Sequence, residues 1–101
     1  MFRAVLTMHV DATHVETFER AWKHAAESFA AVPGLIRQTL AADAHDSGCL
    51  TITSDWTDEQ SFRLFEVSSR QDDATAALRR LRTSSTMHTQ DVRLIVAKED
   101  R

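Results

Sequence analysis

The sequence predicts an α+β domain with the element order β-α-β-β-α-β. Phe2, Ala4, Leu6, Met8 and Val10 alternate with Arg3, Val5, Thr7 and His9, a period of two that belongs to a strand. Val15, Phe18, Trp22, Ala25, Phe29 and Val32 then recur at steps of three and four, which puts them on one side of a helix. Two strand-like runs follow, separated by Asp43-Ala-His-Asp-Ser-Gly48, and that turn-rich spacer joins them as a hairpin.

Taken in order, the first strand runs to Val10. Thr13-His-Val-Glu16 reads as a capping box that opens the first helix. Glu16 with Arg20, and Glu19 with Lys23, are helix-supporting pairs on its outer side, and Pro33-Gly34 ends it. Leu35 to Ala42 is the second strand and Cys49 to Trp56 the third. Thr57-Asp-Glu-Gln60 reads as a second capping box, and the helix from Asp58 to Ser68 turns Phe62 and Phe65 inward. Ser68-Ser-Arg-Gln-Asp72 is expected to break or bend the chain before a second helical piece, Ala74 to Arg82, that carries Leu78 and Leu81. Ser85 to Lys98 reads as a long last strand with Val92, Leu94 and Val96 on one side.

Right-handed crossovers make the first two strands parallel, with the third inserted between them. The outcome is a ferredoxin-like antiparallel sheet with the helices on one face. The other face would carry Val5, Thr7, His9, Cys49, Thr51 and Thr53, a mixture rather than a fully solvated set. A second sheet would cover it, so a face-to-face homodimer with two-fold symmetry is expected.

Length and composition narrow the function. A chain of 101 residues makes one domain, 1–101. Net charge is −3, and Arg79, Arg80 and Arg82 are the one basic cluster, too small to argue for nucleic acid. Cys49 is the single cysteine, so neither an intrachain disulfide nor a cysteine-based zinc site can form. Met1 to Val10 lacks the apolar run of a signal peptide and no stretch has the length to span a membrane, so a cytoplasmic location without membrane contact is expected.

Trp56 stands where a strand hands over to a helix. An amphipathic ring at such a corner either plugs the core or floors a site for a flat aromatic ligand. If the apolar parity of the first strand carries into the last, His88 faces the helices beside Met8 and His9 faces away. His14, Arg79 and Arg82 would join that end, with Trp56 and Arg37 toward the opposite end and a cleft between. Three histidines at one end suit a metal, but their spacing fits no compact ligand motif and none is expected. Asp43-Ala-His-Asp46 is better explained as a polar turn, and His24 falls on the outer face of its helix. No Gly-x-Ser-x-Gly is present, and the two glycines are too few for a phosphate loop or a dinucleotide fingerprint, which excludes flavin or nicotinamide bound in a Rossmann manner.

The segments Val-Pro-Gly-Leu-Ile-Arg-Gln, Ile-Thr-Ser-Asp-Trp-Thr-Asp-Glu-Gln-Ser-Phe and Leu78-Arg-Arg-Leu81 together resemble the antibiotic biosynthesis monooxygenase family, over essentially the whole chain. The resemblance implies a dimeric α+β barrel with a cleft in each subunit. It also implies, as in several members, oxidation of anthrone-type polyketides to quinones by O2 without a cofactor. Trp56 matches the family tryptophan, Phe62 falls where quinone-forming members have a tyrosine, and Arg79 falls near their helix arginine. Their asparagine four residues before the tryptophan is Ile52 here, and the chain has neither asparagine nor tyrosine. The haem-degrading branch relies on an asparagine near the end of the first strand, where Leu6 or Met8 stands, so haem degradation is not expected.

The function expected from these features is a cofactor-independent monooxygenase taking an aromatic polyketide intermediate to a quinone or hydroxylated product, in antibiotic or pigment biosynthesis. Trp56 and Phe62 would be aromatic walls, His88 the base, Arg79 or Arg37 the anion stabiliser, and His14 a group at the cleft mouth. O2 is the co-substrate, with no metal and no cofactor. The alternatives are a polyketide cyclase, a non-catalytic polyketide-binding accessory protein of the same pathway, and a stress-related quinol oxygenase.

Overall fold

The computed structural model describes residues 1–69 and 72–98. Strand β1 (Phe2–Val10) buries Phe2, Ala4, Met8 and Val10, as its alternation requires. A short 3-10 turn (Ala12–His14) leads into α1 (Val15–Ser28), whose Phe18 and Ala25 are buried. Strands β2 (Leu35–Asp43) and β3 (Asp46–Trp56) form the hairpin, and α2 (Glu59–Ser69), α3 (Asp73–Leu81) and β4 (Arg82–Asp91) follow.

The sheet order is β2-β3-β1-β4 with every neighbouring pair antiparallel, so β1 and β2 run parallel with β3 between them. This is the ferredoxin-like α+β fold read from the sequence. The helix-facing core forms two clusters. Phe2, Ala4, Trp56 and Phe62 occupy one end of β1, and Met8, Val10, Phe18 and Leu50 the other. Among the described residues no helix is long and apolar enough to cross a membrane.

Several local expectations are corrected. Neither capping box forms as written. Asp11 takes over the first, its carboxylate accepting from the Thr13 amide at 2.9 Å and the Thr13 hydroxyl at 2.6 Å. Asp58 takes over the second, accepting from the Ser61 amide at 2.7 Å. A carboxylate is the stronger acceptor for these donors and complements the positive end of the helix. Helix α1 ends at Ser28 rather than running on to Val32. The hairpin strands reach further into the turn than expected, leaving Ala44 and His45 at the tip, with Asp43 accepting from the His45 amide at 2.8 Å. Asp72 caps α3 by accepting from the Ala74 amide at 2.7 Å, while residues 70 and 71 of the expected break lie outside the described residues.

The largest correction concerns the last strand. It begins at Arg82, directly after α3, and ends at Asp91 rather than spanning Ser85 to Lys98. Leu94, Ile95 and Val96 follow it and are exposed. Met8 pairs with Ser85, Leu6 with Met87 and Val5 with His88. Directly paired residues share a face, so Ser85 and Met87 point toward the helices and His88 points away. Met87 is the single large apolar residue of β4, too little to show a period, and the apolar run beyond the strand suggested the opposite parity.

Candidate active site

A cavity of about 410 Å³ lies between the sheet and the helices. It exists because several inward positions carry small side chains. Ala4 and Ser54 on the sheet, Ala25 and Ala26 on α1, and Ser69 and Thr75 at the α2–α3 corner all line it. Leucine or isoleucine at these places would fill the space between the two core clusters.

Aromatic rings form one end. Trp56 is fully buried, its ring 5.8 Å from that of Phe62 in an edge-on arrangement and 5.1 Å from that of Phe65 in a tilted one. Phe62 rests on Phe2 with centroids 5.6 Å apart, and Phe29 meets Phe65 edge-on at 4.9 Å. These tilted and edge-on geometries favour aromatic packing and leave little freedom to each ring. The indole Nε1 donates to the Ser54 hydroxyl at 2.9 Å.

Polar groups are few among the lining residues. Gln38 donates from Nε2 to the Ala26 carbonyl at 2.9 Å, tying β2 to α1. Glu66 accepts from Arg63 at 3.3 Å. Arg79 donates to the Thr75 hydroxyl at 2.7 Å. Arg82 and Ser85 stand at the far end, beside Met8 and Met87. Burial, and the like charge of Arg79 second, push the Arg82 guanidinium below its ordinary value.

Of the residues singled out from sequence, Trp56, Phe62 and Arg79 line the cavity. The other three do not. His88 is exposed on the opposite sheet face, paired with Val5, and lies four residues of β4 from Ser84, the partner of His9. His14 is exposed in the 3-10 turn. Arg37 extends over the outer sheet face to Asp55, which accepts from Arg37 Nη2 at 2.8 Å and from Arg3 Nε at 2.7 Å. Asp55 is the one buried charged residue among those described, at 2 % exposure. The Arg3 hydrogen bond holds its carboxyl below the ordinary value, against the opposing effect of burial and with the help of Arg37. Among the described residues no group of three histidine, cysteine or carboxylate side chains could hold a metal ion.

Arg82, expected beside Arg79 at one end of the cleft, lines the cavity, which also brings in residues that the sequence did not single out for a site: Trp22, Gln38 and Glu66. The available signal was the run of alanine and serine at inward positions, which marks space rather than packing.

A family model described as antibiotic biosynthesis monooxygenase matches residues 1–80. No curated protein matches the chain significantly. Among solved structures, a mutant of SnoaB, a cofactor-independent oxygenase from Streptomyces nogalater, superposes with a TM-score of 0.83 at 24% identity, over 96% of this chain and 97% of that one. A monooxygenase from the gene ActVA-Orf6 of Streptomyces coelicolor, in complex with Nanaomycin D, gives a TM-score of 0.80 at 24% identity, over 97% of this chain and 92% of that one. A conserved protein from Methanosarcina mazei Go1 gives 0.79 at 19% identity, over 88% of this chain and 89% of that one. At such identities the likeness is one of fold.

Proposed function

The chain belongs to the antibiotic biosynthesis monooxygenase family, and on that footing we propose that it is a cofactor-independent oxygenase of an aromatic polyketide intermediate, forming a quinone or hydroxylated product in antibiotic or pigment biosynthesis. The observation that carries this is the cavity of about 410 Å³ floored by the buried Trp56 and walled by Phe62 and Phe65. Its size falls in the range of about 300–1,000 Å³ usual for sites that enclose a small molecule. Two of the similar folds, SnoaB and the ActVA-Orf6 protein, support the reading: one is a cofactor-independent oxygenase and the other a monooxygenase bound to Nanaomycin D.

The chemistry asks little of the protein. An anthrone-type substrate slides between the aromatic rings with its reactive CH2 toward Glu66. Glu66, the one carboxylate among the described lining residues, takes a proton from that carbon. Arg79 stabilises the oxyanion of the resulting enolate, which passes an electron to O2. The carbon loses both hydrogens and gains one oxygen atom as a carbonyl, and the second oxygen atom leaves with the hydrogens as water. O2 is thus the only oxidant and no external reductant is needed. The base in this reading is Glu66 rather than His88.

A two-fold homodimer belongs to the same proposal. Val5, Thr7, Thr51 and Thr53 on the outer sheet face are only partly exposed, and Leu94, Ile95 and Val96 project beyond β4. A second subunit would cover both. Sedimentation equilibrium should give twice the chain mass, and a monomer would refute this part.

One observation favours a second reading, a non-catalytic polyketide-binding protein: no histidine is among the described residues that line the cavity. Oxygen-electrode measurements with anthrone separate the two. The oxygenase should consume one O2 per anthrone and yield anthraquinone, with Trp56→Ala losing substrate affinity. Tight anthrone binding without O2 uptake would reject catalysis and leave the binding protein, or a cyclase, in its place.

A further inference from the structure

Arg82 is held in place by its backbone. It caps the C-terminus of α3, its amide donating to the Leu78 carbonyl, and it opens β4 by pairing with Val10 next to a register shift in β1. Its guanidinium is partly buried and lines the cavity. Arg3, Arg20, Arg37 and Arg63 each meet a carboxylate, whereas Arg82 has no carboxylate in reach among the described residues. Its charged neighbour is Arg79, of the same sign. Two cations at one end of the cavity, Arg82 without a carboxylate in reach among the described residues, make a site that an anion would complete.

The position of that site matters as well as its charge. Trp56 pairs with Phe2, and Arg82 with Val10, at the two ends of β1. Eight residue steps along the strand separate those partners, about 26 Å at ~3.3 Å per residue. That span along the sheet is long enough for a fused three-ring system with an acidic group at its end. The net charge of the chain is −3, so a general field would repel an anion and any preference must be local.

We propose that Arg82 is a specificity-determining residue that selects planar aromatic ligands bearing a carboxylate at the end remote from Trp56. The inference rests on the cavity being an aromatic-ligand site, as proposed above, and it names the substrate class of that site. A planar fork of donors suits a carboxylate in two-point contact, which a neutral hydroxyl cannot reproduce.

Tryptophan fluorescence titration with anthracene-2-carboxylate and its neutral counterpart, 2-hydroxymethylanthracene, tests this. The native chain should bind the acid about ten- to a hundredfold tighter than the alcohol, the range for a charge-assisted contact. Arg82→Gln should bind both equally, and Arg82→Lys should keep part of the preference. Without ligand, Arg82→Gln should melt no lower than the native chain, because it removes an uncompensated, partly buried charge. Survival of the preference in Arg82→Gln would overturn the proposal, as would a clear drop in its ligand-free Tm, which would make Arg82 structural. Equal binding of acid and alcohol by the native chain would overturn the anion site while leaving the aromatic site standing. Failure of both anthracenes to bind would remove the aromatic site, and this proposal with it.

Discussion

The indole Nε1 of Trp56 donates to the hydroxyl of Ser54, two residues earlier on the same strand, at 2.9 Å. Both side chains point toward the helices, and the bond fixes the plane of a ring that forms the cavity floor. Ser54→Ala would leave the N–H buried without a partner, at a cost of about 1–3 kcal/mol. Urea unfolding should register that loss. The double variant Ser54→Ala/Trp56→Phe removes donor and acceptor together, so it should lose less than the sum of the single changes. Additive losses would mean that the bond contributes nothing.

Asp55 supplies a pH dependence. Its folded carboxyl lies below the ordinary value of 3.8, chiefly through the Arg3 hydrogen bond. A depressed carboxylate adds stability that is fully present above the unfolded value and is lost as the pH falls through the folded one. Stability should therefore decline below about pH 3.8 by this route, and Asp55→Asn should flatten that part of the profile. At neutral pH the substitution should cost about 1–3 kcal/mol, no more, because Arg37 and part of Arg3 can turn to water. Thermal melts across pH 2.5 to 7 check both.

Gly34 is required at the end of the α1–β2 connection. Its φ is +84°, and a Cβ there would meet the Ser61 side chain at the start of α2. The Gly34 carbonyl also accepts from the Thr57 amide at 2.8 Å, which holds the strand-to-helix corner after Trp56. Gly34→Ala should lose about 1–3 kcal/mol from the left-handed backbone alone, with the clash added. Ser61→Gly in that background relieves the clash but not the backbone, so it should restore only part of the Tm.

His88 and Glu66 make opposite predictions for turnover. His88 lies on the sheet face away from the cavity, paired with Val5, and Glu66 lines the cavity. With anthrone, His88→Ala should leave O2 uptake near the native rate. Glu66→Gln should lower kcat about a hundredfold or more, as for loss of a general base, with little change in KM. The reverse pattern would return the base to His88 and remove Glu66.

How much of this was legible in advance varied with the length of the pattern. The five inward positions of β1 and the stripe of α1 from Val15 to Ala25 repeat often enough for the period to stand alone. The corner at Trp56 was visible too, since a strand run and a helix start abut there. The caps lie one or two positions from the expected residues because Asp11 and Thr13, or Thr57 and Asp58, are all competent caps, and geometry chose the carboxylates. In β4 the polar run Thr83-Ser-Ser-Thr86 carries no period, and the apolar alternation of Val92 to Val96 lies beyond the strand.

Order of elements, fold class and the identity of the buried ring thus follow from the chain alone, because periodicity and turn chemistry act between near neighbours. The facing of His88 and the room left by Ala4, Ala25 and Ser54 do not. They depend on which residue of β4 lies opposite which residue of β1, a pairing across about eighty positions. A shift of one step there would reverse every side chain of the strand.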